Sequence, residues 1–124
     1  MGAIRTEVHT RRPFRAAEED VAGWHVVSVT GEVDGETAGL LSTLVSTAVR
    51  RGARQVCLDF SELGRAGGGT GDALRRAQHA AGHAGGRLAV IRPGDPGVAK
   101  VLDNASLPGE VRVLARREQL GAGA

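Results

Sequence analysis

Apolar residues recur along this chain in two rhythms. Around Trp24-His25-Val26-Val27-Ser28-Val29-Thr30 they are dense and β-branched, which predicts a strand. His25, Val27 and Val29 fall on one face, and Trp24, Val26, Ser28 and Thr30 on the other. From Ala38 to Val49 the rhythm changes: Leu41, Leu44, Val45, Ala48 and Val49 return three and four residues apart, with Ala38 and Leu40 beside them. That spacing predicts a helix reaching about Arg50, capped by Asp34, with Glu36 in its first turn and Arg50-Arg51-Gly52 closing it.

Val56 to Phe60 is a short, nearly all-apolar run, as expected of an inner strand covered on both faces. Ala73, Leu74, Ala77, Ala80, Ala81 and Ala84 mark a second amphipathic helix that Gly85-Gly86 ends. Arg87–Ile91 reads as a strand. Asp95 then caps a short third helix, with Pro96 at its first position and Val98, Val101 and Leu102 as its stripe, ending near Asn104. Val111–Leu114 is a last strand, and Arg116–Leu120 adds a helical turn. Phe14–Glu19 is expected as a short edge strand, joined to the next strand by a turn over Asp20–Gly23. Residues 1–12 are expected to be loosely ordered, 13–120 to form one domain, and 121–124 to fray. The order β-β-α-β-α-β-α-β predicts an α/β fold on a mainly parallel mixed sheet, with the first two strands antiparallel.

Composition narrows the function. At 124 residues the chain fits one domain able to bury roughly two-thirds of its unfolded surface. A net charge of +2, with arginines scattered in pairs rather than clustered, argues against nucleic-acid binding. A single cysteine, Cys57, excludes an internal disulfide framework and reads as a small buried hydrophobe. No apolar run approaches the roughly 18 residues of a membrane span, and Met1–Arg5 lacks a signal peptide's apolar stretch. These features predict a soluble, cytoplasmic protein without membrane association.

The stretch that bears on function runs from Asp59 to Leu74. It places a strand end, the glycine-rich turn Gly64-Arg65-Ala66-Gly67-Gly68-Gly69-Thr70-Gly71 and a helix N-terminus in succession. Unpartnered N–H groups there suit an anion or a partner's side chain. The turn resembles a phosphate-binding P-loop only superficially, because Thr70 stands where that motif has lysine. A nucleotide or other small ligand at this turn is the alternative function. Ser61, His25, His79, His83, Asp59 and Asp72 supply the residue types of a catalytic triad, but no Gly-x-Ser-x-Gly elbow holds a serine. His79 and His83 have a metal-compatible spacing without further ligands, and read as a solvated helix face.

Four pieces in order resemble the STAS domain family, which includes bacterial anti-sigma-factor antagonists. They are Val27-Ser28-Val29-Thr30-Gly31-Glu32-Val33-Asp34; Gly52-Ala53-Arg54-Gln55-Val56-Cys57-Leu58-Asp59-Phe60-Ser61; Ala84-Gly85-Gly86-Arg87-Leu88-Ala89-Val90; and Val98-Ala99-Lys100-Val101-Leu102 with Leu107. The resemblance covers about residues 14–120. It implies a STAS-like fold, no enzymatic activity and no cofactor. It also implies a role as a monomer or weak dimer that binds an anti-sigma factor, a serine kinase of the histidine-kinase-like ATPase fold, and so frees a sigma factor. Residues carried to the partner surface are Asp34, Ser61, Gly67, Gly68, Gly69, Thr70 and Asp72. The family's phosphoacceptor turn, Asp-Ser-Ser-Gly, falls on Gly67-Gly68-Gly69-Thr70, so Gly68 stands at the phosphoserine position and has no hydroxyl. Thr70 is the hydroxyl left in the turn. It is expected to cap the helix rather than to accept phosphate.

Overall fold

The computed structural model describes residues 8–11, 14–67, 69–103 and 111–122. In chain order its elements are β1 (Val8–Arg11), β2 (Phe14–Val21), β3 (Trp24–Val33), α1 (Gly35–Arg50), β4 (Gln55–Asp59), β5 (Leu63–Ala66), α2 (Thr70–His83), β6 (Arg87–Ile91), α3 (Pro96–Asp103), β7 (Arg112–Leu114) and α4 (Gln119–Ala122). The strands form one seven-stranded sheet in the order β1-β2-β3-β4-β6-β7, with β5 paired to the far end of β3. β1, β2 and β3 are antiparallel, and every pairing from β3 onward is parallel. The α/β fold and mainly parallel sheet expected from the sequence are therefore present.

Alternation along the strands gives the sheet two apolar faces. Val27 and Val29 of β3, Val56 and Leu58 of β4, and Leu88 and Val90 of β6 are buried in the larger core. Leu41, Val45 and Ala48 of α1, Leu74 and Ala77 of α2, and Val98 and Leu102 of α3 join them there. The opposite face is smaller: Trp24, Val26, Cys57, Ala89, Ile91 and Leu114 bury against one another and Leu120 of α4.

The helices end where glycine permits it. After α1, Gly52 takes φ 105°, its N–H reaches the Val49 carbonyl at 3.0 Å, and the Ala53 N–H reaches that of Ala48 at 3.0 Å. After α2 the same pair of bonds recurs, Gly85 to Gly82 at 3.0 Å and Gly86 to Ala81 at 2.7 Å, with Gly85 at φ 80°. Both ends thus use the Schellman arrangement, which satisfies carbonyls the helix leaves open.

Several expectations are corrected. The 14–19 segment is not an edge strand, because β1 pairs outside β2 and lies within the stretch expected to be loose. The turn after β2 is the two residues Ala22 and Gly23, both with positive φ, rather than Asp20–Gly23. The last strand is Arg112–Leu114, and the closing helical turn is shifted to Gln119–Ala122, so Gly121 and Ala122 are helical. Ala84 is exposed just beyond α2 rather than on its apolar stripe. Asn104 and the 107–109 segment lie outside the described residues.

Candidate functional site

α1 begins where β3 leaves the sheet. The Asp34 Oδ1 accepts from the backbone N–H of Thr37 at 2.9 Å and of Glu36 at 3.0 Å, and the Asp34 N–H donates to the Thr37 hydroxyl at 2.9 Å. This capping box satisfies helix donors that have no partner within the helix. The Thr37 backbone bond first, and next its hydroxyl donating to Asp34 Oδ1 at 3.0 Å, hold the Asp34 carboxyl below its ordinary range. The predicted cap is therefore present, with Thr37 as its other half.

The glycine-rich turn is built against this helix start. Leu63–Ala66 is not turn but β5, parallel to the end of β3 through Gly31↔Leu63, Glu32↔Arg65 and Val33↔Ala66. The strand was not legible in the sequence, since it pairs with residues more than thirty positions earlier and shows no alternation. Gly67 continues it, donating its N–H to the Val33 carbonyl at 2.7 Å. A side chain at Gly69 would come within 3.6 Å of the Gly35 Cα and 3.7 Å of the Ala38 Cβ. One at Gly67 would stand 3.8 Å from the Asp34 Cα. The starts of α1 and α2 therefore lie side by side, and small residues allow the approach.

Thr70 departs from expectation. The N-cap of α2 is Gly69, at φ 91° and without a side-chain cap, and Thr70 is the first helical residue. Its side chain is turned inward: Thr70 is 1% exposed and its hydroxyl donates to the Gly67 carbonyl at 2.8 Å. Gly68 lies outside the described residues. The Gly67 and Thr70 N–H groups are both spent inside the turn, on Val33 and Gly67, so they do not converge on a phosphate-sized point.

A comparison with protein-family models matches residues 17–114 to STAS_2, described as "Mlab, STAS domain". The chain belongs to the STAS domain family. Solved structures with this fold include an anti-sigma factor antagonist from Mycobacterium paratuberculosis, at 20% identity and TM-score 0.77, covering 92% of this chain and 96% of that one. A putative anti-sigma factor antagonist from Thermotoga maritima is similar at 17% identity and TM-score 0.73, covering 86% and 91%. The Bacillus cell fate determinant SpoIIAA in its phosphorylated form is similar at 19% identity and TM-score 0.64, covering 90% and 99%. None of the curated proteins matches the sequence.

Within this STAS domain the remaining candidates separate. Asp34, Gly67, Gly69 and Thr70 come together at the paired helix starts. Asp72 is exposed one turn into α2, facing Arg75 at 3.5 Å and Arg76 at 3.0 Å. Ser61 is exposed beyond the end of β4, its N–H on the Asp59 carboxylate at 2.9 Å and its carbonyl accepting from Gly94 at 3.1 Å. His25 pairs with Val56 at the start of the parallel strands, the opposite end of the sheet from Ser61. His79 and His83 stack on each other at 5.6 Å on the outer side of α2. No serine–histidine pair forms among these residues, and no group of three metal-ligating residues occurs among those described. Burial, then the nearby Asp59 charge, pushes the Cys57 thiol up to about 12, the state of an inert core residue.

One group was missed by sequence reasoning. Arg117 donates to Asp59 Oδ2 at 3.0 Å and to the Ser28 hydroxyl at 2.8 Å, and it also pairs with Glu19. It thereby ties the segment before α4 to β2, β3 and β4. Its partners are 58 to 98 positions away, so nothing in the local pattern marks it.

Proposed function

We propose that this STAS domain is an anti-sigma-factor antagonist that binds a kinase-type anti-sigma factor and frees a sigma factor, without being switched by phosphorylation. The docking surface in this reading comprises residues 31–37, 61–72 and the exposed face of α2. The observation that supports it is the close approach of the two helix starts, where a side chain at Gly69 would stand 3.6 Å from the Gly35 Cα and one at Gly67 3.8 Å from the Asp34 Cα, with Ser61 and Asp72 exposed. Family membership and the shared fold with anti-sigma factor antagonists support the assignment. Small residues and a charge already paired, Asp72 with Arg75 and Arg76, suit a protein partner more than a buried substrate.

Lack of switching follows from the hydroxyls. Gly68 has none. The Thr70 hydroxyl is buried and donates to a carbonyl, so transfer to it requires the first turn of α2 to open. In this reading the protein acts in the cytoplasm, needs no cofactor and catalyses nothing.

The test is calorimetric titration of the purified chain with the kinase-type anti-sigma factors of its own host. Ser61→Arg and Asp72→Ala should each weaken binding about tenfold or more, while Arg50→Ala at the far end of α1 leaves it unchanged. Binding that ignores the first two variants would refute this surface, and binding to none of the candidates would refute the function.

A further inference from the structure

Along α1 from Leu40 to Arg51, the helix and the β2–β3 hairpin border a cleft of about 500 Å³. That volume lies within the roughly 300–1,000 Å³ common for small-molecule sites. One wall is a continuous stripe of α1, in which Leu44 and Ala48 are apolar and Thr43 and Thr47 carry hydroxyls. The hairpin supplies the acidic side. His25 stands between two carboxylates, with Nε2 at 2.7 Å from Glu18 and Nδ1 at 3.1 Å from Asp20. Glu18 is nearly buried, its side chain 11% exposed, whereas that of Asp20 is 63% exposed. Arg51, the residue that closes α1, is exposed at the cleft, and its guanidinium makes no ion pair among the described residues.

A cleft lined by the exposed Asp20 carboxylate, an Arg51 guanidinium without an ion pair among the described residues and an apolar stripe is poorly matched to a simple cation or anion. Each would meet a like charge on one side. The complement is a molecule carrying both signs around an apolar body. We propose that this cleft is a binding site for a small zwitterion of the α-amino-acid class with a large apolar side chain. Its ammonium faces Asp20, its carboxylate pairs with Arg51, and its side chain lies on Leu44 and Ala48. Guanidinium and carboxylate form the stronger, charge-assisted type of hydrogen bond. The cleft runs along α1 from Leu40 to Arg51 and shares no residue with the docking surface at 31–37 and 61–72. This site therefore stands or falls independently of the partner assignment.

The test is a ¹⁵N NMR titration of the full chain with three probes sharing one apolar body: L-phenylalanine, phenethylamine and 3-phenylpropionate. Phenylalanine is expected to give saturable shifts in residues 18–25 and 43–53, and each single-charge analogue to bind at least about tenfold more weakly. Arg51→Gln should abolish the advantage over phenethylamine, and Asp20→Asn the advantage over 3-phenylpropionate. Both residues are exposed, and the dispersion of the variant spectra verifies folding. Absence of saturable shifts, shifts confined to the 31–37 and 61–72 segments, or equal affinity for all three probes would overturn the proposal.

Discussion

Single residues decide whether the docking end is a switch or a fixed surface, and they carry the sharpest predictions. The Thr70 hydroxyl is held by the Gly67 carbonyl in a buried turn. Replacing it by valine leaves that carbonyl only the longer Thr70 N–H contact at 3.4 Å and should cost about 0.5–1.5 kcal/mol in a denaturant titration, whereas serine should cost less. Asp34 gives a pH signature. Its folded-state carboxyl is held below the ordinary 3.8, so the folded chain binds the proton less tightly than the unfolded one. The cap's contribution is therefore complete above about pH 3.8 and fades as pH falls through the lower folded value. Thermal melts of Asp34→Ala and the parent should differ at neutral pH and converge in acid. Ala22 holds φ 53° in a two-residue hairpin turn that favours asparagine or glycine. Ala22→Asn should stabilise the chain by about 0.5–1 kcal/mol by relieving left-handed strain.

At the scale of elements, what could be read in advance follows from how far each element's partners lie along the chain. α1 and its Asp34 cap were legible because period, cap and closing glycine all lie within twenty residues. The same holds for β4 and β6, whose near-continuous apolar runs match burial on both faces. β5 was hidden in what reads as a glycine turn, since its order comes from pairing with Gly31–Val33 rather than from its own sequence. β1 was hidden although its partner β2 follows at once, because Val8-His9-Thr10-Arg11 carries a single apolar residue. The N-terminal cap of α2 was misassigned by one residue: a threonine beside a glycine reads as the cap, yet the left-handed backbone at φ 91° places glycine there and turns Thr70 inward. The helix endings give an element-scale test. Gly52 at φ 105° has open space around its missing side chain, so Gly52→Ala isolates backbone strain and should cost about 1 kcal/mol.

For the whole molecule, the two sheet faces differ in how they are held. Three helices cover the larger core, whereas the smaller face depends on Leu120 and on the Arg117 bonds to Glu19, Ser28 and Asp59. Asp59 is 8% exposed, so Arg117→Ala leaves a nearly buried carboxylate unpaired. Loss of about 1–3 kcal/mol, with faster proteolysis after residue 114, should result. The C-terminal lock and the amino-acid cleft both draw on contacts remote in sequence, which is why neither was legible beforehand. The capped start of α1 draws on a local motif, and it was legible.

In the proposed function a partner surface persists in this STAS domain while its phosphate switch is lost. The most direct measurement is intact-mass analysis of the chain, paired with its affinity for the cognate anti-sigma kinase, before and after incubation of the two with ATP and magnesium. Mass and affinity should both stay unchanged, whereas Gly68→Ser should create an acceptor that gains one phosphate and then releases the kinase. A phosphate on the parent chain accompanied by loss of binding would contradict that function.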